Sequence, residues 1–248
     1  MAFPPRQQTS PEQLRPFYYQ VVDRISSLPG VRSVALSNAP PPFGGMRSDL
    51  QIPGIAIPPE ASTFMLFCSE RLVETVGLPL VRGRQFSALD VEKSHHVALI
   101  NQSLAKKYFG ADEPLGRTIR LPRLSTLPVP VADPTFEIIG VVGDMANEGP
   151  RELASPQVLL PFTVVTPAGM ALVIRTTDEA LRVVNGLRRE IQAVDRDVAL
   201  IEPEPMDSVI QRVFYARPRF SLLVLGIFAG AGIVLVAFGV YGVLAYTV

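Results

Sequence analysis

The sequence predicts an α+β domain followed by one membrane-spanning helix, and three features of its 248 residues lead to this fold class. A helical pattern followed by a strand pattern occurs near the start and again late in the chain. Short strand patterns interrupted by turn residues fill the middle, and the last 29 residues, 220–248, carry no charge. The charges balance at 23 Lys+Arg and 23 Asp+Glu, so no general attraction to nucleic acid is expected.

The first helix–strand unit follows residues 1–10, which we expect to be disordered. Apolar residues then recur at three- and four-residue spacing, which is typical of an amphipathic helix. These residues are Leu14, Phe17, Tyr18, Val21, Val22, Ile25 and Leu28. The pair Pro29-Gly30 ends the helix. The stretch VRSVALSN alternates after it as a half-buried strand does.

A similar unit lies in DEALRVVNGLRREIQAVDRD, followed by the strand pattern VALIE. Its helical positions are Leu181, Val184, Leu187, Ile191 and Val194. The two units indicate two halves of one α+β sandwich, at 11–62 and 148–205. Residues 63–147 between them are then an inserted subdomain.

The inserted part is predicted to be rich in β-structure. It contains a short helix that breaks at Gly77, the strand VALIN and a helix capped by Asn101 and ended at Gly110. The stretch FEIIGVVGD, crowded around Gly140, is the strongest strand pattern in the chain. Two loops rich in Pro and Gly, APPPFGGMRSD and RLSTLPVPVADP, are expected to be exposed and mobile.

The segment 220–248 is long enough to cross a membrane. At 1.5 Å per residue, about 20 apolar residues span a hydrocarbon core of about 30 Å. Its glycines are small positions that let another membrane helix approach closely, although glycine is also common in such helices. They are Gly226, Gly230, Gly232 and Gly239. The arginines before the segment, Arg212, Arg217 and Arg219, by themselves favour a cytoplasmic domain.

Residues 206–219 connect the domain to this segment. Apolar residues follow one another at i, i+3, i+4, i+7 and i+8, which makes one stripe over two helical turns. They are Met206, Val209, Ile210, Val213 and Phe214. Periodicity alone favours a helix that packs on its own domain. The alternative is a connector that passes movement between domain and membrane.

The sequence carries no motif that predicts an enzyme or a cofactor site. It has no GxxxxGK[ST] phosphate-binding loop, so ATP hydrolysis by that route is not expected in this chain. The single cysteine, Cys68, lies in the apolar run FMLFCSE, which is typical of a packed thiol. The adjacent His95 and His96 point in different directions on any regular element, so we expect a solvated turn there and no metal site.

Several stretches in order resemble the MacB-type ABC transporter permeases and the wider FtsX-like permease group. They are FYYQVVDRISSLPGVRSVALS, LVETVGLPLVRGRQFSALD, VALINQSLAKKYFGADEPLGRTIRL, FEIIGVVGD and the apolar end from Arg219. The resemblance implies a two-part extracytoplasmic domain, an α+β part built from both flanks with a β-rich insertion. The membrane helix that follows would be the second of a longer permease, so we expect this chain to be a fragment.

The resemblance also implies partners and a location. Such permeases form dimers, work with a separate or fused ATPase, and lie in the bacterial cytoplasmic membrane. An envelope adaptor protein is a further expected partner, and nucleic acid is not. Residues 1 to about 217 would then be extracytoplasmic, and the Met206–Phe214 stripe would belong to a stalk. Export or mechanotransmission is the expected function; the alternative is a membrane-tethered binding or scaffold domain without transport.

Overall fold

The structure, a computed structural model, describes residues 10–149, 153–177, 180–195 and 203–246. Its helices are α1 Pro11–Ser26, α2 Leu72–Val76, α3 Ala88–Glu92, α4 Gln102–Tyr108, α5 Ala180–Val194, α6 Met206–Ile210 and α7 Ala216–Tyr246. Short 3₁₀ turns lie at Pro122–Thr126 and Phe162–Val164, and a π-helical turn at Gln211–Tyr215. The chain divides into two compact units, Met1–Pro203 and Glu204–Val248.

The first unit is built on one mixed β-sheet. Its strands are β1 Val31–Ser37, β2 Met46–Asp49, β3 Ser62–Cys68, β4 Leu80–Gly83, β5 Val97–Asn101, β6 Thr118–Arg120, β7 Thr135–Val142, β8 Gln157–Pro161 and β9 Ala171–Thr176. The order among the described strands is β4-β7-β5-β8-β3-β1-β9, with β2 on β3 and β6 on β7. The pairs β5/β7 and β3/β8 are parallel, and the other pairs are antiparallel. The predicted α+β class is confirmed.

The amphipathic pattern of the first helix is confirmed by burial. On α1 the fully buried side chains are Leu14, Tyr18, Val21 and Ile25. Three further predicted residues, Phe17, Val22 and Leu28, are partly buried against the same core. The spacing thus placed the apolar face correctly, because side chains three and four apart share one side of an α-helix.

The late helix is confirmed as α5, which packs beside α1. Leu187 and Ile191 are fully buried, and Val194 is partly buried against the core. An exposed ion pair between Arg24 and Glu190 joins the two helices at 3.3 Å. The predicted strand VALIE lies outside the described residues, as do residues 1–9 of the predicted disordered start.

The short elements of the middle follow their local signals. Helix α2 ends at Gly77, whose φ of 77° is the left-handed conformation that glycine adopts most easily. The Asn101 side chain caps α4 by accepting a hydrogen bond from the Leu104 N–H at 3.0 Å. At Gly140 on β7, a Cβ atom would lie 2.8 Å from Leu99 Cδ2 and closer still to the Arg84 carbonyl. That position accepts only glycine without a shift of its neighbours.

The two loops predicted to be exposed are in part packed. Residues 46–49 of the first loop form β2, which pairs with β3, and Ser48 is buried. In the second loop Leu124 is fully buried within a 3₁₀ turn. The prediction was wrong at these positions because the pairing of β2 and the packing of Leu124 depend on residues distant in sequence.

The predicted parts of the domain share the sheet. Strand β8, from the later flank, lies between β5 and β3, while β1 and β9 from opposite flanks are neighbours. One hydrophobic core includes residues from both flanks and from the middle of the chain. The boundaries at residues 63 and 147 stay a prediction.

Candidate functional site

The predicted membrane segment is helical throughout its described length. Helix α7 has 31 residues, Ala216–Tyr246. Eight of its apolar side chains are more than half exposed: Leu225, Ile227, Phe228, Ile233, Val234, Leu235, Val236 and Phe238. Among the residues that the structure describes, no helix meets the length and apolarity needed to cross a membrane. The span at 220–248 stays a prediction.

The predicted apolar stripe lies on α6 and the π-helical turn after it. Met206 and Val213 are each 37% exposed. Val209, Ile210 and Phe214 are half-buried. None of the five side chains is fully buried within the unit Glu204–Val248, so their role in a stalk stays a prediction.

The four glycines predicted to pack against another helix lie along α7. A Cβ atom added at Gly226, Gly230, Gly232 or Gly239 would meet no atom within 4 Å. At about 100° per residue, Gly226 and Gly230 share one side of the helix, and Gly232 and Gly239 lie on another. The glycines therefore make two small faces, each open, and their role as contacts remains a prediction.

An ionic network in the first unit surrounds Asp90. This residue is 4% exposed at the start of α3, where it completes a capping box with Ser87. Its Oδ2 accepts hydrogen bonds from Arg84 Nη1 at 2.6 Å, from the Ser87 N–H at 2.8 Å and from Ser87 Oγ at 2.7 Å. His95 Nδ1 lies 3.2 Å from Oδ1. Burial alone would raise the pKa of Asp90, but these hydrogen bonds outweigh burial and hold the pKa well below its usual range.

The cysteine and the two histidines stand where the sequence predicted them. Cys68 is fully buried on β3, and burial, with the charge of Glu70, raises the pKa of its thiol. His95 faces Asp90, whereas the His96 ring stacks on Phe136 with 5.1 Å between centroids. Within the described ranges, no group of three or more His, Cys, Asp or Glu residues could hold a metal ion.

An open groove of about 400 Å³ runs between β4 and α4. Arg82 and Lys106 contribute positive charge to its walls, and Asp112 and Asp144 contribute negative charge. The Asp144 carboxylate accepts hydrogen bonds at 2.9 Å from the Ser103 N–H and hydroxyl, so it serves as a cap for α4. The mixed charge does not favour a ligand of either sign.

A family model, the MacB-like periplasmic core domain, matches residues 3–201. The chain belongs to this family. The match covers most of the chain and ends before α6, so the apolar stripe and the helix glycines lie outside it. The MacB-like domain is therefore the first unit, and the family assignment is independent of the second.

A solved structure shares the fold of this MacB-like domain. The periplasmic region of MacB from Actinobacillus actinomycetemcomitans is 17% identical, with a TM-score of 0.53 over 80% of this chain and 83% of that one. The extracellular domain of the noncanonical ABC-type transporter YknZ from Gram-positive bacteria is 14% identical, with a TM-score of 0.49 over 71% and 81%. No curated protein sequence matches the chain significantly.

The Asp90 network of the MacB-like domain was missed in the sequence. The pattern Ser87-x-x-Asp90 is a readable capping box, so the start of α3 could have been found. The contacts of Arg84 and His95 with Asp90 could not have been found, because they depend on the turns before and after the helix. This network fixes α3 in place.

Proposed function

We propose that the chain is the permease-subunit portion of a MacB-like ABC transporter, which acts in export or mechanotransmission across the cell envelope. The observation that carries this proposal is the family match over residues 3–201. ATP hydrolysis then takes place in a separate or fused ATPase whose cycle moves this domain. Permeases of this kind would pair as homo- or heterodimers, and an envelope adaptor protein would contact the domain.

The second unit supports a place in the bacterial cytoplasmic membrane. Helix α7 exposes a continuous series of apolar side chains from Leu225 to Phe238, for which lipid or other membrane helices are suitable surroundings. In this proposal residues 220–248 span the membrane and residues 1 to about 217 are extracytoplasmic. The arginines at 212, 217 and 219 favour the opposite orientation, which the first helix of a longer permease would override.

The apolar stripe of Met206–Phe214 is proposed as a stalk that joins the domain to the membrane. Its partial exposure supports contact with a second permease or an adaptor. The two glycine faces of α7 would accept two different neighbouring helices, because small residues allow close approach of backbones.

Co-purification tests the transporter role. The tagged full-length product is extracted from native membranes in mild detergent, and proteins that accompany it are identified by mass spectrometry. We expect an ATPase with Walker motifs in stoichiometric amount. A variant with Val209→Asp and Val213→Asp in the stripe should lose the second permease or the adaptor without loss of the folded domain. A membrane-bound product with no ATPase would refute the proposal and support a tethered binding or scaffold domain.

Cysteine labelling tests the orientation. Cys68 is buried and its thiol pKa is raised, so the native chain should not react with a membrane-impermeant maleimide. Leu89 is 55% exposed, which makes Leu89→Cys an accessible reporter in the domain. We expect the variant to be labelled in cells with a permeabilised outer envelope and an intact cytoplasmic membrane. Labelling only after lysis of that membrane would place the domain in the cytoplasm.

A further inference from the structure

The backbone carbonyl of Thr163 accepts hydrogen bonds from three side chains, two of which are distant in sequence. Arg15 on α1 donates to it through Nη2, Ser94 after α3 donates through Oγ at 3.2 Å, and Thr166 donates through Oγ1 at 3.4 Å. Arg15 also donates through Nε to Thr166 Oγ1 at 2.9 Å. One carbonyl thus joins α1, α3 and the 3₁₀ turn Phe162–Val164.

Two of these donors have a left-handed backbone. Ser94 has φ 53° and Thr166 has φ 51°, and within the described ranges they are the non-glycine residues with positive φ. Thr166 is also β-branched, for which this conformation is a genuine outlier. Such conformations cost free energy and persist only where surrounding contacts hold them.

Both residues occupy the position just after a short helix, where glycine is usual. At the end of α3 the Ser94 N–H donates to the Val91 carbonyl and the His95 N–H to the Asp90 carbonyl, the Schellman pattern. After the 3₁₀ turn the Thr166 N–H donates to the Phe162 carbonyl. Glycine would satisfy the backbone at both places but could not reach Thr163. Ser94 and Thr166 therefore give up an unstrained turn but gain hydroxyl groups that hydrogen-bond to the Thr163 carbonyl.

The contacts at Thr163 include a second hydrogen bond to α3, and α1 packs over them. The Thr163 hydroxyl donates to the Val91 carbonyl on α3, so this threonine binds α3 through both its side chain and its backbone. On the α1 side, Tyr18 lies edge-on to Phe162 with ring centroids 6.0 Å apart. Arg15 is half-buried and Thr166 is 3% exposed, so these contacts are largely protected from water.

We infer that Arg15, Ser94, Thr163 and Thr166 form a strained latch, which holds α1 to α3 and opens as one cooperative unit when Arg15 leaves the Thr163 carbonyl. Release of Arg15 removes the charged donor and exposes the remaining bonds to water. The left-handed backbone at Ser94 and Thr166 then loses the contacts that hold it, and both turns relax together. The latch is a property of the domain and does not depend on the proposed transport role.

Hydrogen exchange of the full 248-residue chain in detergent tests the latch. Arg15→Ala should speed exchange about tenfold in two peptides, covering residues 88–96 and 160–168, with no change in β5 and β7. The matched control is Arg24→Ala, which removes the exposed pair with Glu190 from the same helix and should leave both peptides unchanged. An increase in only one of the two peptides, or an equal increase in the sheet, would show that no such cooperative unit exists.

A second pair of variants tests the strain separately from the hydrogen bond. Ser94→Ala loses the hydroxyl and keeps the strained backbone, whereas Ser94→Gly loses the hydroxyl and relieves it. Exchange in residues 88–96 should therefore rise several-fold more in Ser94→Ala than in Ser94→Gly. Equal or faster exchange in Ser94→Gly would mean that the turn stores no strain, and the latch would be a passive tie.

Discussion

Replacement of Asp90 by asparagine tests how the ionic network stabilises the domain. The change keeps the shape of the side chain and one oxygen that can cap α3, but it removes the negative charge. A hydrogen bond to a charged group contributes about 1.5–3 kcal/mol. The Arg84 side chain is 53% exposed, so the lower end of that range applies to its pair with Asp90. A weaker helix cap adds about 1 kcal/mol.

The expected total is a loss of about 2–3 kcal/mol in the free energy of unfolding. For a domain of this size that corresponds to a fall in Tm of about 5–10 °C. Urea denaturation followed by circular dichroism measures the free energy, and calorimetry measures Tm. Asp112→Asn is a matched control, because Asp112 pairs with Arg117 at 3.6 Å on the surface. That control should cost less than about 1 kcal/mol.

The same variant has a predicted dependence on pH. The folded pKa of Asp90 lies below its unfolded value of about 3.9, so its ionic contribution is complete above that pH. The contribution is lost as the pH falls towards the folded pKa and the carboxylate takes up a proton. The difference in stability between the native chain and Asp90→Asn should therefore be present at neutral pH and shrink below about pH 4. Equal costs for Asp90→Asn and Asp112→Asn at pH 7 would refute the reasoning.

Three further substitutions test separate features of the two units. Gly140→Ala should destabilise the domain by about 1–3 kcal/mol, measured by urea denaturation, because its Cβ would collide with Leu99 and the Arg84 carbonyl. Tyr18→Phe should cost about 1 kcal/mol in the same assay, since the hydroxyl donates to the Pro167 and Ala168 carbonyls at 3.0 Å. For the proposed membrane span, Gly226→Leu should reduce disulfide crosslinking between this helix and a neighbouring one, whereas unchanged crosslinking would show that this glycine is not a contact.

Local signals were sufficient to predict helices α1, α2, α4 and α5 of the MacB-like domain. The spacing of Leu14, Tyr18, Val21 and Ile25 predicted the buried face of α1, because the period of the helix is fixed by its own backbone. Asn101 and Gly77 likewise predicted a start and an end, because a cap is satisfied within four residues. Such features depend only on neighbours in sequence, so their prediction does not require knowledge of the rest of the fold.

The order of the strands could not be derived in the same way. Val97–Asn101 was a clear strand pattern, but nothing in it indicates that β7 pairs with it in parallel and β8 in antiparallel orientation. Strand β2 was predicted to be part of a loop because its four residues, Met46–Asp49, follow two glycines and do not alternate between apolar and polar side chains. Pairing with β3 stabilises its strand conformation, so this conformation cannot be predicted from the four residues alone.

The polar joints of the domain are the strongest case of this dependence. Ser94, Thr163 and Thr166 are residue types that sequence patterns assign to turns and caps. Ser94 and Thr166 each follow the end of a short helix, and Thr163 lies within the 3₁₀ turn Phe162–Val164. Their second role is to meet at the Thr163 carbonyl, which also accepts a hydrogen bond from Arg15. Arg15 and Ser94 lie 148 and 69 residues from Thr163 in the sequence. Hydrophobic periodicity locates the faces that pack, but the points where packed elements are held or released consist of polar residues with ordinary local roles. The left-handed backbone of Thr166 identifies one of these contact points. A single hydrogen bond from a hydroxyl group is too weak to hold this conformation, so the packed elements that the bond connects must also stabilise it.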